Sequence, residues 1–136
     1  SIYASAESFS DSGTFQVVAG TGKSEIKELI PVLCEELINS PKNLTEKEIE
    51  KSKAQLKTST LMSIESTMTN AIVAAYQLLR YNKLIDLEEK IEKINKVTKS
   101  SIESTADKLL KSLPTISSIG PIGHLETIDQ INNRLN

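Results

Sequence analysis

Hydrophobic and polar positions along the chain change period several times, and each change marks an element. Residues 1–10 and 14–19 are two β-prone runs separated by Asp11-Ser12-Gly13, where a glycine able to take positive φ would close a hairpin. From Ile26 the apolar residues fall at Leu29, Ile30, Leu33, Leu37 and Ile38, the series of one helix face, with Glu25, Lys27, Glu28, Glu35 and Glu36 on the other side. Pro31 sits inside this pattern, where it removes a backbone donor and crowds a carbonyl, so a kink is expected. Asn39-Ser40-Pro41 reads as the stop.

Thr45-Glu46-Lys47-Glu48 has the form of a capping box: the Thr45 hydroxyl can accept from the Glu48 amide while the Glu48 carboxylate reaches back. A long helix therefore starts there, carrying Ile49, Leu56, Leu61 and Ile64. Residues 63–69 are rich in Ser and Thr, whose hydroxyls compete for backbone hydrogen bonds, and a break is expected among them. A second helix follows from about Thr67 through Leu79. Asp86 opens a short helix with Leu87, Ile91 and Ile94, and Thr98 opens another that Pro114 ends. Residues 115–120 read as a small β-prone run, and Pro121 and Gly123 as a turn into a last helix with Leu125, Ile128, Ile131 and Leu135. The order ββ, helices, β, α predicts an α+β fold whose partly antiparallel sheet, the hairpin plus the late strand, is covered by helices. Three strands are few for a free-standing sheet, so further strands from elsewhere would complete it.

At 136 residues with 38% hydrophobic content, the expectation is a single domain over residues 1–136. Strand character begins at once, without an initiating Met or a flexible leader, which suggests a piece of a longer chain. A net charge of −2 offers no field for phosphate backbones or acidic lipid, so neither nucleic acid nor membrane is an expected partner. No apolar run approaches the roughly 18–20 residues that span a bilayer. Cys34, alone and set in an apolar helix pattern, reads as a buried structural thiol, and the absence of pairs fits a reducing compartment.

The candidate chemistry is thin. Gly20-Thr21-Gly22-Lys23-Ser24 follows a strand and opens a helix, but a phosphate loop needs glycine where Val17 stands, so a plain strand-to-helix turn is expected. His124 is the only histidine; one imidazole with scattered carboxylates supplies neither a zinc site nor a hydrolytic triad, and a surface position at the start of the last helix suits it better. The alternating charges from Glu46 to Lys57 read as a solvated helix face. Glu35-Glu36 and Glu88-Glu89 diverge on their helices, and Arg80, beside Tyr76 and Tyr81, reads as a cation in a last helical turn.

Taken in order, several segments resemble a known family. They are Tyr3-Ala4-Ser5, the run from Phe9 to Phe15, Leu44-Thr45-Glu46-Lys47-Glu48-Ile49, Lys53-Ala54-Gln55-Leu56-Lys57, Ser63-Ile64-Glu65-Ser66, Leu79-Arg80-Tyr81 and Ile119-Gly120-Pro121. The family is the pitrilysin or insulinase type of zinc metallopeptidase, in the branch of the processing peptidases and their bacterial relatives. The resemblance implies two similar α/β halves around a peptide chamber, with this chain an incomplete part of the C-terminal half. It places the family's inverted His-x-x-Glu-His zinc site in the N-terminal half, outside this sequence, so no catalytic or metal-binding residue is expected here. It also places the family's Arg and Tyr arm just before Ser1. What remains is chamber wall, with Tyr3, Ser5 and Glu7 on one strand face as candidate contacts to a peptide substrate, although their parity equally fits a position under the helices. The implied partners are the N-terminal half or a partner subunit, and an open sheet edge would invite a homo-oligomer. A catalytically inactive subunit of the same fold is the alternative. The implied location is intracellular: cytoplasmic in a bacterium, or the mitochondrial matrix in a eukaryote.

Overall fold

A computed structural model describes residues 1–136. The fold is α+β: a two-stranded antiparallel sheet followed by six helices, arranged as two compact units. The first unit comprises Ser1–Ser8, Ser12–Asn43 and Ser100–Asn136, and the second comprises Phe9–Asp11 and Leu44–Lys99.

In the first unit β1 (Ile2–Ser8) pairs with β2 (Gly13–Ala19) in unbroken register from Ile2↔Ala19 to Ser8↔Gly13. The connection is the four residues 9–12, and Gly13 is the first residue of β2 without positive φ. Its glycine character serves close approach instead, because a Cβ there would stand 3.1 Å from the Glu7 carbonyl oxygen. Ser1 and Gly20 extend the ladder, exchanging both backbone hydrogen bonds at 3.0 and 2.8 Å. Alternation along an antiparallel ladder then directs the N–H and C=O groups of Ile2, Ala4, Ala6 and Ser8 away from β2, where no third strand meets them.

Helix α1 (Ile26–Asn43) runs through both Pro31 and Pro41. The expected stop at 39–41 is thus corrected by a few residues. Proline forfeits only its own N–H bond, which leaves Lys42 and Asn43 free to keep helical geometry, with the Lys42 cation favourable in the last turn. Ile30 and Cys34, one turn apart on α1, are buried with Ile131 of α6 (Ile128–Leu135), and Leu125 and Leu135 pack around them. This is the core of the unit, and it joins helices nearly a hundred residues apart. Helix α6 is fixed at its start by a capping box: the Gln130 amide donates to the Thr127 hydroxyl, and Thr127 N–H donates to the Gln130 side chain at 2.9 Å. Helix α5 (Lys99–Leu110) ends well before Pro114.

The expected strand at 115–120 is absent. A β-prone run becomes a strand only with a ladder partner, and the sheet contains β1 and β2 alone. Ile119 in this stretch is fully exposed, and Gly120 takes φ of 124°, a backbone conformation that glycine adopts without strain, as the chain turns toward Pro121.

Apart from its three hairpin-loop residues, the second unit consists of helices and the short connections between them. Helix α2 (Glu46–Ser63) starts at the expected capping box, with the Glu48 amide donating to Thr45 Oγ1 at 3.3 Å and Thr45 N–H donating to Glu48 Oε2 at 2.9 Å. It ends where hydroxyls turn back on the helix: Thr60 Oγ1 donates to the Leu56 carbonyl at 2.8 Å and Ser63 Oγ to the Thr60 carbonyl at 2.7 Å. Helix α3 (Thr67–Tyr81) is capped by Ser66 and closed by Asn82 in the left-handed region, φ 51°. Helix α4 (Leu87–Asn95) is capped by Asp86, whose Oδ1 accepts from the Glu89 amide at 2.7 Å, and α2 packs against α4. Buried Gln77 accepts the Ile85 amide at 2.9 Å and so fixes the loop between α3 and α4.

Candidate functional site

Register decides what the hairpin presents. Directly opposed residues share a face, so Tyr3, Ser5 and Glu7 lie with Val18, Gln16 and Thr14, while Ile2, Ala4, Ala6, Phe15, Val17 and Ala19 form the apolar face opposite. Gln16 Nε2 donates to Ser5 Oγ at 3.0 Å, a cross-strand bond that fixes this face. Tyr3 is 59% exposed, Glu7 is exposed and Ser5 is half-buried, so the face is open and no helix lies over it. Three polar or amphipathic side chains beside an unpaired strand edge can hold an extended peptide through backbone hydrogen bonds and side-chain contacts; Ser5 is bonded to the Gln16 amide and not to a base, and no metal set stands among them.

The remaining candidates fall apart in space. Cys34 is 3% exposed in the α1–α6 core, where burial pushes its thiol up from the ordinary range against the opposing pull of Arg134, so it stays a protonated packing group at neutral pH. His124 is exposed in the turn after Gly123, three residues before the cap of α6. No group of three or more His, Cys, Asp or Glu side chains is placed to share an ion, and the residues of this chain do not fit a zinc site. Residues 20–25 form the loop between β2 and α1, where Ser24 Oγ donates to Glu25 Oε1 at 2.6 Å and the Glu25 carboxylate occupies the space a Cβ on Gly22 would need.

Several carboxylates are committed to structure. Glu36 accepts from Ser40 Oγ at 2.8 Å, and Glu89 accepts from Lys93 at 2.8 Å and Lys83 at 3.3 Å, which hold it below the usual carboxylate range. In the charged run on α2, Lys53 meets Glu50 at 2.8 Å. Arg80 lies in the last turn of α3 with its guanidinium 5.4 Å from the Tyr76 ring centre. It lines a shallow depression with Val73, Tyr76, Gln77 and Tyr81 on that one helix.

One polar arrangement was not foreseen. Arg134 grips Glu126 as a two-pronged fork, with Nε to Oε2 and Nη2 to Oε1 both 2.7 Å, and draws the Glu126 carboxyl below its usual range. The pair spans eight residues across the cap of α6, outside the three- and four-residue spacings that mark helix neighbours in a sequence. The capping box Thr127-x-x-Gln130 just after Glu126 was a readable signal for where this turn folds back.

No protein-family model matches the chain. Over 68 residues it is 37% identical to the uncharacterized zinc protease YmxG of Bacillus subtilis (strain 168). That stretch is 49% of this chain and 17% of the relative, so the chain is similar to a zinc protease over about half its length and spans a small part of that protein.

Proposed function

We propose that this chain is a non-catalytic part of a zinc-dependent endopeptidase of the pitrilysin or insulinase type, in its processing-peptidase-like branch. It forms wall and scaffold of a substrate chamber in the C-terminal half. The similarity to a zinc protease over half the chain carries the reading, and the order of a hairpin followed by helices accords with it. In this proposal the catalytic zinc is held by an N-terminal half, and peptide substrate lies in the chamber between the halves, with Tyr3, Ser5 and Glu7 as contacts.

The distribution of apolar surface supports a role as one piece of a larger body. The buried apolar residues are Ile30, Cys34, Ile49 and Ile131, while Ile2, Phe15, Met68, Ile72, Leu79, Leu113 and Ile119 stand exposed on the hairpin, α3 and the stretch after α5. Such surface ordinarily marks contact with other protein. The unpaired backbone groups of β1 point the same way, because between Ile2 and Ser8 there is no proline, lysine or bulge and Glu7 is the one charge along the edge.

The test uses the full-length parent protein. Zinc content and cleavage of an unstructured peptide are measured with and without a chelator. Stoichiometric zinc together with chelator-sensitive cleavage is the expected result. A parent that lacks the inverted zinc motif, binds no zinc and cleaves nothing overturns the peptidase reading and leaves the inactive subunit of the same fold.

A further inference from the structure

We draw no further inference here: the strongest candidate, the exposed apolar stripe of Met68, Ile72, Tyr76 and Leu79 along α3 with the Arg80 guanidinium stacked over Tyr76 at one end, is an unpartnered helix face, and nothing in the structure shows what covers it.

Discussion

The two units are held together by different kinds of information. The first has a core built from distant parts of the chain, where the Ile30 and Cys34 turn of α1 needs Ile131 of α6, beside a hairpin closed by a four-residue loop. In the second, α2 also packs against α4, but the helix ends are written locally, with Thr45 and Glu48 starting α2, Ser66 starting α3, Asp86 starting α4 and Asn82 ending α3, each satisfied by residues within a few positions. Local determinants survive when a chain is read alone, whereas distant ones hold only while the partner is in place. The first unit should therefore be the more sensitive to single substitutions in its contact, and the second the more graded.

The largest expected effect is at Ile131. It is 6% exposed at the centre of a core with few members, so Ile131→Ala should cost about 2–5 kcal/mol by lost burial and the cavity left behind. Amide exchange should show α6 and the facing turn of α1 losing protection together while α2 to α4 keep theirs. Equal loss of protection in α2 to α4 would mean that the two units unfold as one, and the contrast between them would fail.

Next in size are the caps of the second unit. Thr45→Ala removes the hydroxyl that accepts the Glu48 amide and should cost about 0.5–2 kcal/mol; Ser66→Ala and Asp86→Ala should fall in the same range. Fraying should stay local, with each variant losing protection over the first turn of its own helix. A cap variant that abolished all three helices would show that the unit depends on distant contacts as much as the first does.

The same division explains what could be read from the sequence. The break between α2 and α3 and the starts of α2 and α4 were legible because hydroxyls and carboxylates at fixed spacing mark them. The hairpin was legible from its alternation, although its closure was assigned to a positive φ at Gly13 that a four-residue loop makes unnecessary. Residues 115–120 misled because β propensity describes what a residue tolerates, while a strand requires a neighbour to bond. Helix α6 starts later than the apolar spacing from Leu125 predicts, because Thr127 and Gln130 form its cap. Of the candidate site, the grouping of Tyr3, Ser5 and Glu7 on one face followed from parity alone. That both faces of the hairpin would stand largely open did not, since that depends on what the helices cover.

A smaller effect is expected on the hairpin. Tyr3 faces Val18 across the ladder with both side chains well exposed, so Tyr3→Ala should cost about 0.2–1 kcal/mol, clearly less than the Ile131 change in the same unit. Urea midpoints of the two variants give the comparison directly. If Tyr3 proved as costly as Ile131, the hairpin face would have to be buried in solution, and its availability to an extended peptide would be lost.

The smallest expected effect is the response to acid. Hydrogen bonds from Thr45 hold the Glu48 carboxyl below the ordinary carboxylate range, Lys93 and Lys83 do the same for Glu89, and Arg134 for Glu126. Because each folded value is depressed, the stabilisation is fully present above the unfolded value of about pH 4.3 and is lost as pH falls through the folded values. Stability should therefore hold level from neutral pH down to about pH 5 and decline below about pH 4. Glu48 is exposed and Glu89 and Glu126 are half-buried at the surface, where salt screens their partners, so the decline should be shallow and should shrink at high ionic strength. Glu126→Gln should flatten the acid limb of α6 protection only, and Glu48→Gln that of α2 only, as followed by amide exchange across the titration. An acid limb that either substitution left unchanged would mean that the hydrogen bonds at that carboxylate add nothing to the folded state, and that its unit owes its acid response to other groups.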